Sequence, residues 1–259
     1  MKKNVAFIAS TFALAGALSL SGCGGNGAGA QAAAGSQPAA ASQSGKGAAG
    51  AVLSPKGKLA ADDLADTVDA DVEKTVTALT EECDALIAEI DSFEAYTSNI
   101  DKTQAFYDKV LAETDAIGIR MRQYSVDCAS TVMAGDRSSG QMYDDLEVIY
   151  EDVYDGAGGD IYDGIYEDLF EKLYDAFYNG VVKDAYDSVG YGEWSETSSA
   201  AYEMYSDAQS DVYKSISDFQ SDVYKFSSDV RSKLFNDKME KAEKEITDFQ
   251  EDIDKLKKE

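Results

Sequence analysis

Residues 199–235, SAAYEMYSDAQSDVYKSISDFQSDVYKFSSDVRSKLF, repeat one short pattern: Ser199-Ala-Ala-Tyr202, Ser210-Asp-Val-Tyr213, Ser221-Asp-Val-Tyr224 and Ser232-Lys-Leu-Phe235. The period is eleven residues, and Glu243-Lys-Glu-Ile246 continues it more loosely. Eleven residues make three turns at about 3.67 residues per turn, so a helix with this repeat keeps one face inward with little or slightly right-handed supercoil. The predicted inward face is Val212, Tyr213, Ile216, Phe219, Val223, Tyr224, Val230, Leu234 and Phe235, then Ile246, Phe249, Ile253 and Leu256. Opposite-charge pairs such as Glu240 with Lys244 and Glu251 with Lys255 suit an exposed outer face, each worth about 0.2–0.5 kcal/mol.

Working outward, residues 143–187 repeat at a different interval, twelve. Paired tyrosines fall at Tyr150 and Tyr154, Tyr162 and Tyr166, Tyr174 and Tyr178, with a single Tyr186 after them. Members of a pair are four apart, so on a helix their rings stack along one face. Leu146, Val153, Ile161, Ile165, Leu169, Leu173, Phe177 and Val181 widen that face, which favours a core role for the rings with their hydroxyls reaching water or a partner. Turned outward, the same rings would make an aromatic, acidic strip suited to a basic peptide or to sugar rings. Gly156-Ala157-Gly158-Gly159 predicts a break into helices over 140–155 and 160–188.

Between 59 and 134 apolar residues recur at three-four spacing, from Val72, Val76, Leu79, Cys83, Leu86 and Ile90 to Met121, Cys128 and Val132. A single long helix is the simplest account, with Asn99 and Gly118 as its weakest points. On one helix Cys83 and Cys128 would lie about 68 Å apart, so two free cysteines facing the seam are expected. Gly135 suits a left-handed helix end, and Ser138 with Gln141 has capping-box spacing, so the chain reverses there. The turn Gly190-Tyr191-Gly192 leads to Trp194, expected to pack at a bundle end. Both prolines precede residue 56. The fold expected is all-α: an elongated antiparallel bundle of three helical segments over 59–134, 140–188 and 194–258. A two-helix hairpin capped by the tyrosine segment is the alternative.

The N-terminus carries an address. Lys2 and Lys3 precede an apolar run from Val5 to Leu20, which reads as a secretory signal and is too short to span a membrane. It closes on Leu20-Ser21-Gly22-Cys23, which resembles a bacterial lipobox. That resemblance implies cleavage before Cys23, a diacylglycerol on its thiol, and a lipid-anchored protein on the extracytoplasmic face of the cell membrane. Residues 1–22 are then the signal peptide. Residues 23–58, rich in Gly, Ala, Ser and Gln, form a flexible tether, and 59–259 the helical domain. As a random coil of about 35 residues the tether spans roughly 30–35 Å.

All 49 acidic residues lie at or after Asp62, where only 18 Lys and Arg accompany them, for a net charge of −31. Such a surface repels nucleic acids and anionic lipid headgroups, which are bound by neutralising cations. The partners it favours are cationic, either a basic peptide or protein surface or weakly bound calcium. With no histidine in the chain, the usual base for Ser or Cys nucleophiles is missing. Two cysteines 45 residues apart do not make a catalytic zinc site. No catalytic, cofactor or metal residues are assigned. The acidic glycine stretch 152–164, with Asp155, Asp160 and Asp163, departs from the EF-hand pattern and reads as a solvated helix break. The expected function is a non-enzymatic spacer, scaffold or adhesin-like module; the alternative is a binder of calcium or a basic peptide through segment 143–187.

Overall fold

A computed structural model describes the backbone of residues 55–258 and the side chains of residues 67–258. The signal peptide, Cys23 and nearly all of the expected tether lie outside the described residues. The described chain is all-α, without a strand among those residues, and no helix in it is long and apolar enough to cross a membrane.

Helix α1 (Pro55–Glu89) opens on proline, whose fixed φ and missing N–H suit the first helical position. The unbroken helix expected over 59–134 instead folds back after α1. Ser92 caps the short α2 (Phe93–Ser98), its Oγ accepting from the Ala95 N–H at 3.2 Å. Asn99 then ends α2, its Nδ2 donating to the Ala95 carbonyl at 2.8 Å, and α3 (Ile100–Met133) begins. Asn99 is thus one of the two weak points read from the sequence. Gly118, the other, lies buried inside α3, where a Cβ would stand 2.8 Å from Cδ1 of Phe219. It is a packing glycine and not a hinge.

Helix α3 retraces α1, with Lys102 pairing Glu89, Lys109 pairing Glu82, and Arg120 Nε lying 3.5 Å from Asp71. This register sets Cys83 beside residue 108, so about 20 residues of helix, roughly 30 Å, separate it from Cys128 instead of the larger single-helix distance. Both thiols are buried and free. Two polar side chains on the buried face of α3 are satisfied within the helix. Thr114 Oγ1 donates to the Val110 carbonyl at 2.8 Å, and Ser125 Oγ to that of Met121 at 3.0 Å.

The turn after α3 holds the expected capping box: Ser138 accepts from the Gln141 N–H and Gln141 reaches back to the Ser138 N–H. Gly135 is not in the left-handed region; what needs glycine is Arg137, whose Nε would lie 2.9 Å from a Cβ. From α4 (Ser139–Asp145) the chain continues as one helical rod through the glycines expected to break it. Three π-helical stretches, Ile149–Ala157, Tyr162–Leu169 and Tyr174–Val182, alternate with the one-turn α5 (Gly158–Ile161) and α6 (Phe170–Leu173). This rod is called the tyrosine helix below.

After a 3₁₀ turn at Ala185–Asp187, α7 (Tyr191–Phe235) returns the chain. The segment expected as one helix over 194–258 is interrupted at 236–238. Asp237 there takes a positive φ of 52°, and α8 (Met239–Leu256) folds back on α7 through Lys233 with Glu245 and stacked Phe226 and Phe249. Neighbours run in both senses: Asp115 meets Ser215 and Arg122 meets Asp222, so α3 and α7 are parallel. The tyrosine helix is antiparallel to α7, since Tyr150 lies by Tyr224 and Tyr178 by Tyr202. All these helices share one contiguous core. Of the inward face read for α7 and α8, Val212, Ile216, Phe219, Val223, Val230, Leu234, Ile246 and Ile253 are buried, whereas Tyr213, Tyr224, Phe235 and Leu256 are exposed.

Candidate functional site

Twelve residues at 3.6 per turn make about 3.3 turns, so an ordinary α-helix would swing each tyrosine pair about a third of a turn from the last. A π turn, with its i→i+5 hydrogen bond, takes in an extra residue and restores the register. Each tyrosine pair lies inside one π stretch. Glycines ease the close approach to earlier carbonyls at three positions of the rod. Cβ atoms at Gly156, Gly158 and Gly180 would stand 3.3, 3.3 and 3.0 Å from the carbonyl five residues earlier.

The antiparallel α7 meets each pair with its own tyrosines. Tyr224 packs against Tyr150 and Tyr154 with ring centroids 6.0 and 5.7 Å away. Tyr213 packs against Tyr162 and Tyr166 at 6.5 and 5.2 Å. Tyr205 lies 4.8 Å from Tyr174, and Tyr202 lies 5.5 Å from Tyr178. The pairs themselves stack at 5.1, 4.9 and 5.1 Å. Each contact falls in the range where aromatic rings attract. The tyrosines therefore form neither a core nor a one-helix ladder. They make a two-helix seam at the surface, with the aliphatic residues of both helices buried behind it. Tyr202, Tyr213 and Tyr224 keep 50, 48 and 52 % of their surface exposed.

Burial and neighbouring phenols and carboxylates raise the phenol pKa values of Tyr162 and Tyr174, and burial with nearby Tyr174 does so for Tyr205. The raised values favour the neutral, hydrogen-bonding form of these three hydroxyls. Exposed carboxylates follow directly on five of the six paired tyrosines of the tyrosine helix: Glu151, Asp155, Asp163, Glu167 and Asp175. Its lysine in this stretch, Lys172, is turned away and pairs with Asp84 of α1.

The comparisons add no relative to set beside this seam. No family model, curated protein or solved structure matches the chain.

Stretch 152–164 is helical, with Asp155, Asp160 and Asp163 all exposed, and no three ligating side chains converge on a metal position among the described residues. Trp194 closes the far end of the seam. Its Nε1 donates to the Val182 carbonyl at 2.9 Å, and its ring meets Tyr186 edge-on at 4.8 Å. At the other end the Arg231 guanidinium lies 4.4 Å over the Tyr143 ring, donates to the Tyr143 carbonyl at 3.2 Å, and stands 3.5 Å from Glu147. Sequence reading identified the tyrosines of 143–187 but assigned Tyr213 and Tyr224 to the core. The signal that joins them is the pairing of a period of twelve on one helix with a period of eleven on its antiparallel neighbour.

Proposed function

We propose that this protein is a lipid-anchored, extracytoplasmic, non-enzymatic interaction module that meets its partner through the tyrosine seam. One observation carries the reading: three sets of tyrosine rings, each including a half-exposed ring of α7 (Tyr202, Tyr213 or Tyr224) and lined by carboxylates, reach the surface although the same helices bury ample aliphatic side chains. Aromatic side chains of this kind are enriched where proteins contact one another, because a rigid ring offers large apolar area together with a polar tip. The lipobox at Leu20–Cys23 supplies the anchor, and several acyl chains on one residue hold a protein stably where a single chain holds it marginally. The Gly-, Ala-, Ser- and Gln-rich stretch from Cys23 to the start of α1 at Pro55, which takes in the last four residues read as tether, would serve to hold the helical domain clear of the bilayer.

Two measurements test the reading in cells. Cys23→Ser is expected to move the protein out of the membrane fraction; unchanged partitioning would overturn the anchor. A photo-crosslinking phenylalanine at position 213 is expected to capture one discrete envelope component, while the same residue at position 252, exposed on α8, captures none. Equal capture at both positions, or at neither, removes the seam as the contact face.

A further inference from the structure

The chemistry of the seam narrows its partner. We infer that the partner is an extended, arginine- and lysine-bearing polypeptide segment that lies along the seam and meets it at three equivalent subsites, one per tyrosine set; this rests on the seam being the contact face.

Charge gives the first argument. Nine carboxylates lie between Tyr150 and Tyr178, and the single cation in that span, Lys172, is directed to α1. On α7, Lys225 lines the groove against α8 with Phe226 and Asp229, on the side away from the tyrosines. Exposed Lys183, beyond Tyr178, and exposed Lys214, beside Tyr213, are far outnumbered by these carboxylates, so the seam presents aromatic rings on a predominantly acidic face. Guanidinium and ammonium groups are drawn to ring faces, and arginine also stacks on them and pairs with carboxylates through its fork. A second copy of this chain, itself strongly acidic, is repelled from such a face, as are anionic polymers.

The molecule carries its own example of the contact. At the seam's end, Arg231 lies between the Tyr143 ring and Glu147, a guanidinium held by one tyrosine face and one carboxylate. The inner sets hold the same two kinds of group without the arginine and at a different spacing: their exposed carboxylates directly follow the tyrosines, whereas Glu147 stands four residues after Tyr143. An external arginine at an inner set would meet the same two kinds of group, a tyrosine ring and a nearby carboxylate, that hold Arg231 at the end.

Spacing gives the third argument. Tyr202, Tyr213 and Tyr224 are eleven residues apart, so successive sets are about 16.5 Å apart along the helix. An extended chain advances about 3.3 Å per residue, so five residues carry it from one set to the next. Three linked contacts of this kind gain through effective concentration what each lacks alone.

The test uses the full chain carrying Cys23→Ser and three synthetic peptides of equal length and charge in a Gly/Ser background. Their three arginines are placed every fifth residue, placed adjacently, or replaced at the five-residue spacing by lysines. The five-residue arginine peptide is expected to bind at least about tenfold tighter than the adjacent one, and tighter than the lysine peptide. Tyr213→Leu and, separately, Glu167→Gln are expected to weaken it several-fold, whereas Glu251→Gln on α8 leaves it unchanged. Both seam variants are surface changes, and circular dichroism melts verify their folding. Equal affinity for spaced and adjacent arginines, or no loss with Tyr213→Leu, would reduce the interaction to bulk charge and overturn the subsites. Binding of a neutral oligosaccharide with no peptide binding would overturn the partner class while leaving the crosslink at position 213 positive. A negative crosslink instead overturns the contact face itself.

Discussion

Arg137 and Asp145 meet across the turn between α3 and α4 with side chains only 5 and 1 % exposed. Burial draws the Arg137 pKa below its usual range, and its Nη2 also reaches the Val132 carbonyl at 3.5 Å. Removing one member of such a pair strands the other charge in the interior, at a cost of about 3–5 kcal/mol. Asp145→Ala and Arg137→Ala are each expected to lose that much in urea unfolding, while the double change Arg137→Met with Asp145→Leu recovers most of it. Single losses under about 1 kcal/mol would show the pair to be solvated. Little of this was legible in the sequence. Ser138 and Gln141 announced the turn because a cap is a local pattern; a buried charge pair eight residues apart leaves no periodic trace, and Gly135 was assigned to a cap when its role is to lie under Arg137.

The tyrosine helix contains two glycines five residues apart whose surroundings are opposite. A Cβ at Gly164 would stand 2.7 Å from Cγ1 of Val76 on α1, while one at Gly159 meets nothing within 4 Å. Gly164→Ala is therefore expected to cost about 1–3 kcal/mol through overpacking. Gly159→Ala should gain up to about 1 kcal/mol from helix propensity. Thermal melts of the two variants decide it, and similar shifts would mean the helix does not approach α1 as described. Reading Gly156 to Gly159 as a break followed local propensity, which counts glycines as helix breakers. It could not weigh the wider turns that the twelve-residue period demands, in which glycines are tolerated as part of one continuous rod. The aliphatic face of this helix, by contrast, was legible down to Leu146, Val153, Ile161, Ile165, Leu169, Leu173 and Phe177, all buried.

At the scale of the whole molecule, burial holds thiols and phenols in their neutral forms. Burial pushes Cys83 up to about 11 and Cys128 up to about 12, with Tyr96 also up to about 12. Burial, then the hydroxyl's bond to Asp71, moves Tyr124 up to about 12, and Tyr107 is raised further. In the unfolded chain these thiols and phenols ionise near 9.0 and 10.0. Above those values the unfolded state binds fewer protons than the folded one, so stability falls as pH rises. Stability is expected to hold up to about pH 9 and to decline steadily toward pH 12. Urea midpoints followed by circular dichroism from pH 8 to 11 measure this, and a flat profile would contradict the burial of these groups. The all-α class was legible because proline is absent after residue 55 and apolar spacing is three-four throughout. Which helix faces which was not. A seam of apolar residues does not name its partner, and the fold-back at Ser92 turns on one cap inside an otherwise continuous pattern.

The matched counts on the two sides of the tyrosine seam restrict how its gene can change length. Inserting one unit of twelve codons in one helix without one unit of eleven in the other would slide the downstream tyrosine pairs off their partners by a whole repeat. A frame-preserving single-codon deletion within a π turn would rotate every later ring away from α7. Variants of this chain with shorter or longer seams should therefore differ by coordinated blocks in two separated segments, and the number of contact sets should change in whole steps.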